Sequence, residues 1–119
     1  MTDKLAGIIK TLTSRTLAKQ VIWSNTNRET EFQVILPSGR LTVDHWTEGG
    51  SEYADFRIYN SDGVEIAAEA AEPASEDFKP IVSLHNAIIT RKLNVEETLA
   101  GLEKELAAEG TIGEDEIPF

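Results

Sequence analysis

Residues 31–68 read EFQVILPSGRLTVDHWTEGGSEYADFRIYNSDGVEIAA, and the period of this stretch decides the fold class. Glu31–Leu36 alternates, with Phe32, Val34 and Leu36 on one side. Successive side chains of a strand point to opposite faces, so this is the pattern of a strand with one face buried. Pro37-Ser38-Gly39 turns the chain, and Arg40–Thr47 alternates again through Leu41, Val43 and His45. After a second turn at Gly49-Gly50-Ser51, Tyr53–Tyr59 sends Ala54, Phe56 and Ile58 inward. Asn60-Ser61-Asp62-Gly63 is a hairpin signal ahead of Val64–Ala68. A shorter β-prone stretch, Val21–Ser24, stops at Asn25-Thr26-Asn27. Turns this short predict four to five antiparallel strands in a meander.

On either side of this block the period changes to that of a helix. Leu5, Ile8, Ile9, Leu12 and Leu17 mark an amphipathic helix from Asp3 to about Lys19, with Thr2 as its N-cap. Beyond the small-residue linker Ala70–Glu76, a second helix runs from about Glu76 to Lys92. It places Phe78, Ile81, Leu84, His85 and Ile88 on one face and Pro80 in its first turn, where a missing N–H costs little. Asn94 and Glu97 have capping-box spacing, and a third helix is expected to carry Leu99, Leu102 and Leu106 inward until Gly110. The expected fold is α+β: a meander sheet with an N-terminal helix and two C-terminal helices packed on one face. This order is not that of a standard OB-fold. Residues 1–110 form a single domain, and residues 111–119 a separate tail.

The 119 residues are 40% hydrophobic and contain no cysteine, which removes thiolate catalysis, cysteine-ligated zinc and iron–sulfur clusters. No stretch approaches the roughly 18 apolar residues of a bilayer span, and the N-terminus has no signal-peptide pattern, so a cytoplasmic protein is expected. The net charge of −10 is segregated. Residues 1–60 are balanced, whereas residues 61–119 carry fourteen acids against Lys79, Arg91, Lys92 and Lys104. Such acidity argues against a broad nucleic-acid-binding surface but leaves the N-terminal half neutral enough for a local one.

After Gly110 come Thr111-Ile112-Gly113-Glu114-Asp115-Glu116-Ile117-Pro118-Phe119. Two glycines, three consecutive acids and a proline predict a flexible arm, yet it ends in a large apolar residue carrying the free carboxylate. Glu114, Asp115, Glu116, Ile117, Pro118 and Phe119 resemble the C-terminal tip of bacterial single-stranded DNA-binding protein (SSB). In that family the tip docks replication, recombination and repair proteins, and the resemblance implies the same partners here. The resemblance covers only this tip; the strand order departs from the family's OB-fold. The physics suits docking. Phe119 can fill an apolar pocket while its carboxylate meets an arginine, Pro118 stiffens the backbone, and the acids add attraction to a basic rim.

The sheet face opposite the core is expected to show Arg40, Thr42, Asp44 and Trp46 beside Tyr53, Asp55, Arg57 and Tyr59. Aromatics interleaved with arginine suit base stacking, so Arg40, Trp46, Tyr53, Arg57 and Tyr59 are the candidate DNA-binding residues, extended by Trp23 and Lys19. The alternative reading has these aromatics cover the sheet in a homodimer or stand as ordinary surface aromatics; since one short sheet face is a small footprint, a homodimer or higher oligomer is expected in the DNA-binding reading too. His45 and His85 read as structural histidines, since no paired ligand motif accompanies them. The letters of Asn60–Gly63 lack the rest of a calcium loop. No catalytic constellation, metal site or cofactor motif emerges, and an enzyme is not expected. The leading expectation is a phage or mobile-element single-stranded DNA-binding protein that recruits repair enzymes through its tail. The alternative is a decoy or adaptor that occupies the same docking pockets without binding DNA.

Overall fold

The computed structural model describes residues 1–93 and 95–108, without the side chains of Leu93, Val95 and Glu96. Asn94, Gly110 and the whole tip Glu114–Phe119 lie outside the described residues.

Helix α1 covers Asp3–Leu17 and starts where expected: the Thr2 hydroxyl accepts from the Leu5 amide at 3.2 Å. It stops because Lys19 adopts a left-handed φ of 63°, letting the Lys19 and Gln20 amides return to the Thr16 and Arg15 carbonyls. That pair of bonds is the Schellman arrangement, which satisfies carbonyls the helix would otherwise leave open.

Five strands follow, β1 (Ser24–Asn25), β2 (Glu31–Leu36), β3 (Gly39–Glu48), β4 (Ser51–Asn60) and β5 (Glu65–Ala71). All neighbours are antiparallel and lie in the order of the chain, so the sheet is the expected meander. Gly49 and Gly50 both have positive φ, 59° and 82°, which a two-residue type I′ hairpin demands. At the next turn the Asn60 side chain accepts from the Asp62 and Val64 amides, and Gly63 supplies the left-handed residue. The first strand is shorter than its β-prone sequence suggests. Trp23, ahead of it, is buried, with its indole donating to the Thr16 hydroxyl at 2.9 Å, so this segment is pinned to α1.

One face of the sheet carries the core. Phe32, Val34, Leu41, Val43, Ala54 and Phe56 are buried against Ile9 of α1 and Ile81, Leu84 and Ile88 of α2 (Phe78–Leu93). Pro80 is the third residue of α2, inside its first turn. His85 sits among these groups and donates from Nε2 to the Thr30 carbonyl at 2.7 Å, while burial holds its pKa below the ordinary histidine value.

Helix α3 (Val95–Ala107) forms, but its leucines do not turn inward as expected. Leu99, Leu102 and Leu106 are 59%, 47% and 61% exposed. Glu97 lies about 170° round the helix from them at 100° per residue. It takes Arg91 at 2.8 Å and also bridges to Lys19. The helix is therefore anchored by its polar side and turns its apolar side outward. Among the described residues no helix is long and apolar enough to cross a membrane.

Candidate functional site on the open sheet face

Among the described residues no helix covers the second face of the sheet, and the residues of that face follow from the register. Gln33, Thr42, Arg57 and Ala68 form one row across the strands; Glu31, Asp44, Asp55 and Ala70 form the next. Trp46 faces Tyr53 at one end, and Ile35, Arg40, Tyr59 and Glu65 form a row at the other. All five candidates read from the sequence, Arg40, Trp46, Tyr53, Arg57 and Tyr59, thus share this face. Trp23 and Lys19 do not extend it: the first is in the core and the second bridges to Glu97. Alternation alone could not show that Trp23 precedes the strand and belongs to the helix contact.

The middle of the face is unusual in being polar and buried. Asp44 and Asp55, directly opposite one another, are only 2% and 8% exposed beneath their longer neighbours. Facing carboxylates repel, and each is matched by a guanidinium. Arg28 Nε donates to Asp44 Oδ2 and Arg57 Nε to Asp55 Oδ2, both at 2.8 Å. Arg57 also donates to Glu65 at 2.7 Å, and its hydrogen bonds to Asp55 and Glu65 push its pKa above the ordinary arginine value. The second oxygen of each aspartate, Oδ1, is buried with no hydrogen-bond partner among the described residues.

The aromatics are stacked rather than splayed. Trp46 and Tyr53 have centroids 5.5 Å apart at 27°, and the Arg28 guanidinium lies 5.0 Å from the Trp46 centroid. Arg40 lies 4.2 Å over Tyr59 and donates to Gln33 at 3.1 Å. Sequence reading missed Arg28 because it belongs to the β1–β2 loop, where no period applies. The loop is fixed by the Thr26 hydroxyl, which donates to Glu31 at 2.8 Å and accepts from the Arg28 amide at 3.1 Å.

Beside the stack lies a cleft of about 570 Å³, lined by Trp46, Tyr53, Asp55, Arg57, Ala70 and Glu72 among others. It exists because β5 sets only Ala68 and Ala70 against Arg57 and Asp55, so the sheet steps down at its edge. The β5–α2 connection, with the exposed Glu72, forms the far rim. Alanines at alternate positions of β5 were the one sequence signal for this step.

The charge of the face is acidic. Arg28, Arg40 and Arg57 stand against Glu31, Asp44, Asp55 and Glu65. His45 contacts Glu52 at 2.9 Å and packs edge-on against Phe78 and His85; neither histidine belongs to the open face. Among the described residues no three His, Cys, Asp or Glu side chains gather as a metal site would need. Comparison with known proteins finds no matching family, no matching curated relative and no matching solved structure.

Proposed function

We propose that this protein is an adaptor that binds other proteins, with its C-terminal tip Glu114–Phe119 as the docking peptide for enzymes carrying an SSB-tail pocket. The observation that carries the choice over DNA binding is the engagement of the open-face arginines. Arg28 and Arg57 are held by carboxylates, and Arg40 is held between Gln33 and Tyr59. Phosphate would have to displace these partners and approach a face with an excess of acid, whereas single-strand binding depends on free positive charge along the backbone path. The exposed Leu99, Leu102 and Leu106 of α3 come shortly before the tip in sequence and offer an apolar helix face that the same partner can engage.

The test is competition. A purified bacterial enzyme with an SSB-tail pocket is loaded with a fluorescent SSB-tip peptide, and the full chain is titrated in. Displacement by the wild type and none by Phe119→Ala is the expected result; equal displacement by both, or by neither, sinks the reading.

A second reading keeps one specific observation in its favour. Trp46, Tyr53 and Tyr59 stand on one open face with Arg40 and Arg57, as a base-stacking surface requires. Anisotropy of labelled oligo-dT decides it: affinity that falls steeply with salt restores the DNA-binding function, and no binding at low salt removes it.

A further inference from the structure

Two cross-strand pairs, Trp46 with Tyr53 and Asp44 with Asp55, give the open face a local likeness between its β3 and β4 sides. On the β3 side a guanidinium completes the arrangement. Arg28 lies over Trp46 at 5.0 Å and donates to Asp44 at 2.8 Å. On the β4 side Tyr53 and Asp55 line the cleft of about 570 Å³, and among the described residues no cation lies over Tyr53.

We propose that this cleft is a binding site for an arginine side chain of a partner protein, seated against Tyr53 and hydrogen-bonded to Asp55 and Glu72. Three observations carry it. Asp55 lines the cleft at 8% exposure, and its Oδ1 is buried with no hydrogen-bond partner among the described residues, so a donor that reaches it satisfies an acceptor otherwise left unpaired. The surroundings want positive charge: of the charged residues lining the cleft, Asp55 and Glu72 stand against Arg57 alone, and Arg57 is already shared by Asp55 and Glu65. The wall is aromatic and the rim is carboxylate, which a planar guanidinium satisfies at once by stacking and by a forked donor set; an ammonium does so less well. A nucleotide could stack on the ring and donate from its base to the carboxylates, but its phosphate would meet the same excess of acid.

The site rests on the adaptor reading only in having a protein as its occupant, and it shares no residue with the C-terminal tip. Failure of one is therefore visible without failure of the other. The test is an NMR titration of the ¹⁵N-labelled full chain with the peptide Gly-Arg-Gly-Arg-Gly, its lysine analogue, and its citrulline analogue, which keeps the shape without the charge. Shifts should concentrate at the Trp46 indole and the Tyr53, Asp55, Ala70 and Glu72 amides, with arginine binding several-fold tighter than lysine and citrulline not at all. Tyr53→Leu and Glu72→Gln should each weaken arginine binding by about three- to tenfold, the range of one cation–π or exposed charge contact. Glu72 is exposed, so Glu72→Gln tests the site without threatening the fold. Shifts equal for arginine and citrulline, shifts away from the cleft, no shifts, or oligo-dT shifting the same signals more strongly than arginine would each overturn the proposal.

Discussion

Gly39 opens β3 opposite Asn60, and a Cβ placed on it would collide with the Tyr59 carbonyl oxygen and lie 3.2 Å from the Asn60 Cα. Backbone cannot swing aside as a side chain can, so Gly39→Ala should cost about 1–3 kcal/mol, read as a lower midpoint in urea denaturation. His85 makes a second prediction at this scale. Its folded pKa is lowered by burial, opposed by the bond to Thr30, with His45 lowering it further and Asp44 raising it. A base with a lowered folded pKa binds its proton more readily when unfolded. Its contribution is therefore complete above about pH 6.5 and is lost progressively as the pH falls below that value. Unfolding midpoints measured from pH 7.5 down to pH 5 should fall, and His85→Gln, which keeps a donor near Thr30 but does not titrate, should flatten that part of the fall.

Among the elements, α2 and α3 make opposite cases although both read as amphipathic helices. Leu84 of α2 is fully buried, so Leu84→Ala should cost about 2–5 kcal/mol. Leu102 of α3 is half-exposed on a side facing away from the body, so Leu102→Glu should leave stability within about 0.5 kcal/mol while weakening partner capture. Parallel denaturation and competition measurements on the two variants check both. The anchor of α3 is an exposed carboxylate: hydrogen bonds from Arg91, then Lys19, bring Glu97 down to about 2. A depressed carboxylate stabilises above its unfolded pKa and loses that contribution as the pH falls through the folded value. The Glu97 side-chain carboxyl ¹³C shift should therefore stay constant down to about pH 3, and Arg91→Gln, which removes the larger of its two hydrogen-bonding cations, should raise the pH at which it moves.

For the whole molecule, the relevant quantity is where charge of each sign lies. Lys4, Lys10 and Arg15 belong to α1, on the covered side of the sheet, while the open face and the C-terminal half are acidic. Docking through an acidic tip to a basic rim should weaken as salt is raised, because exposed charges are screened within about 10 Å at 0.1 M. Phe119→Ala should abolish docking at every salt concentration, since the apolar anchor is not screened. Competition titrations at two ionic strengths with both chains separate the two contributions.

By itself the sequence determined the meander and the two packed helices. Period-two alternation across Glu31–Ala68 and turns such as Gly49-Gly50 are local properties, and a local property can be read without knowing its neighbours. It also placed Arg40, Trp46, Tyr53, Arg57 and Tyr59 on one face, because alternation fixes the side as well as the strand. Tertiary structure alone decided what that face is. The capture of Asp44 by Arg28, from a loop sixteen residues away, the step down to Ala70, and the outward turn of Leu99, Leu102 and Leu106 all depend on which distant groups meet. A helical period announces an apolar side but does not say whether anything covers it. For α3 the ion pairs of Glu97 settled the matter, through two cations that no spacing rule connects to it.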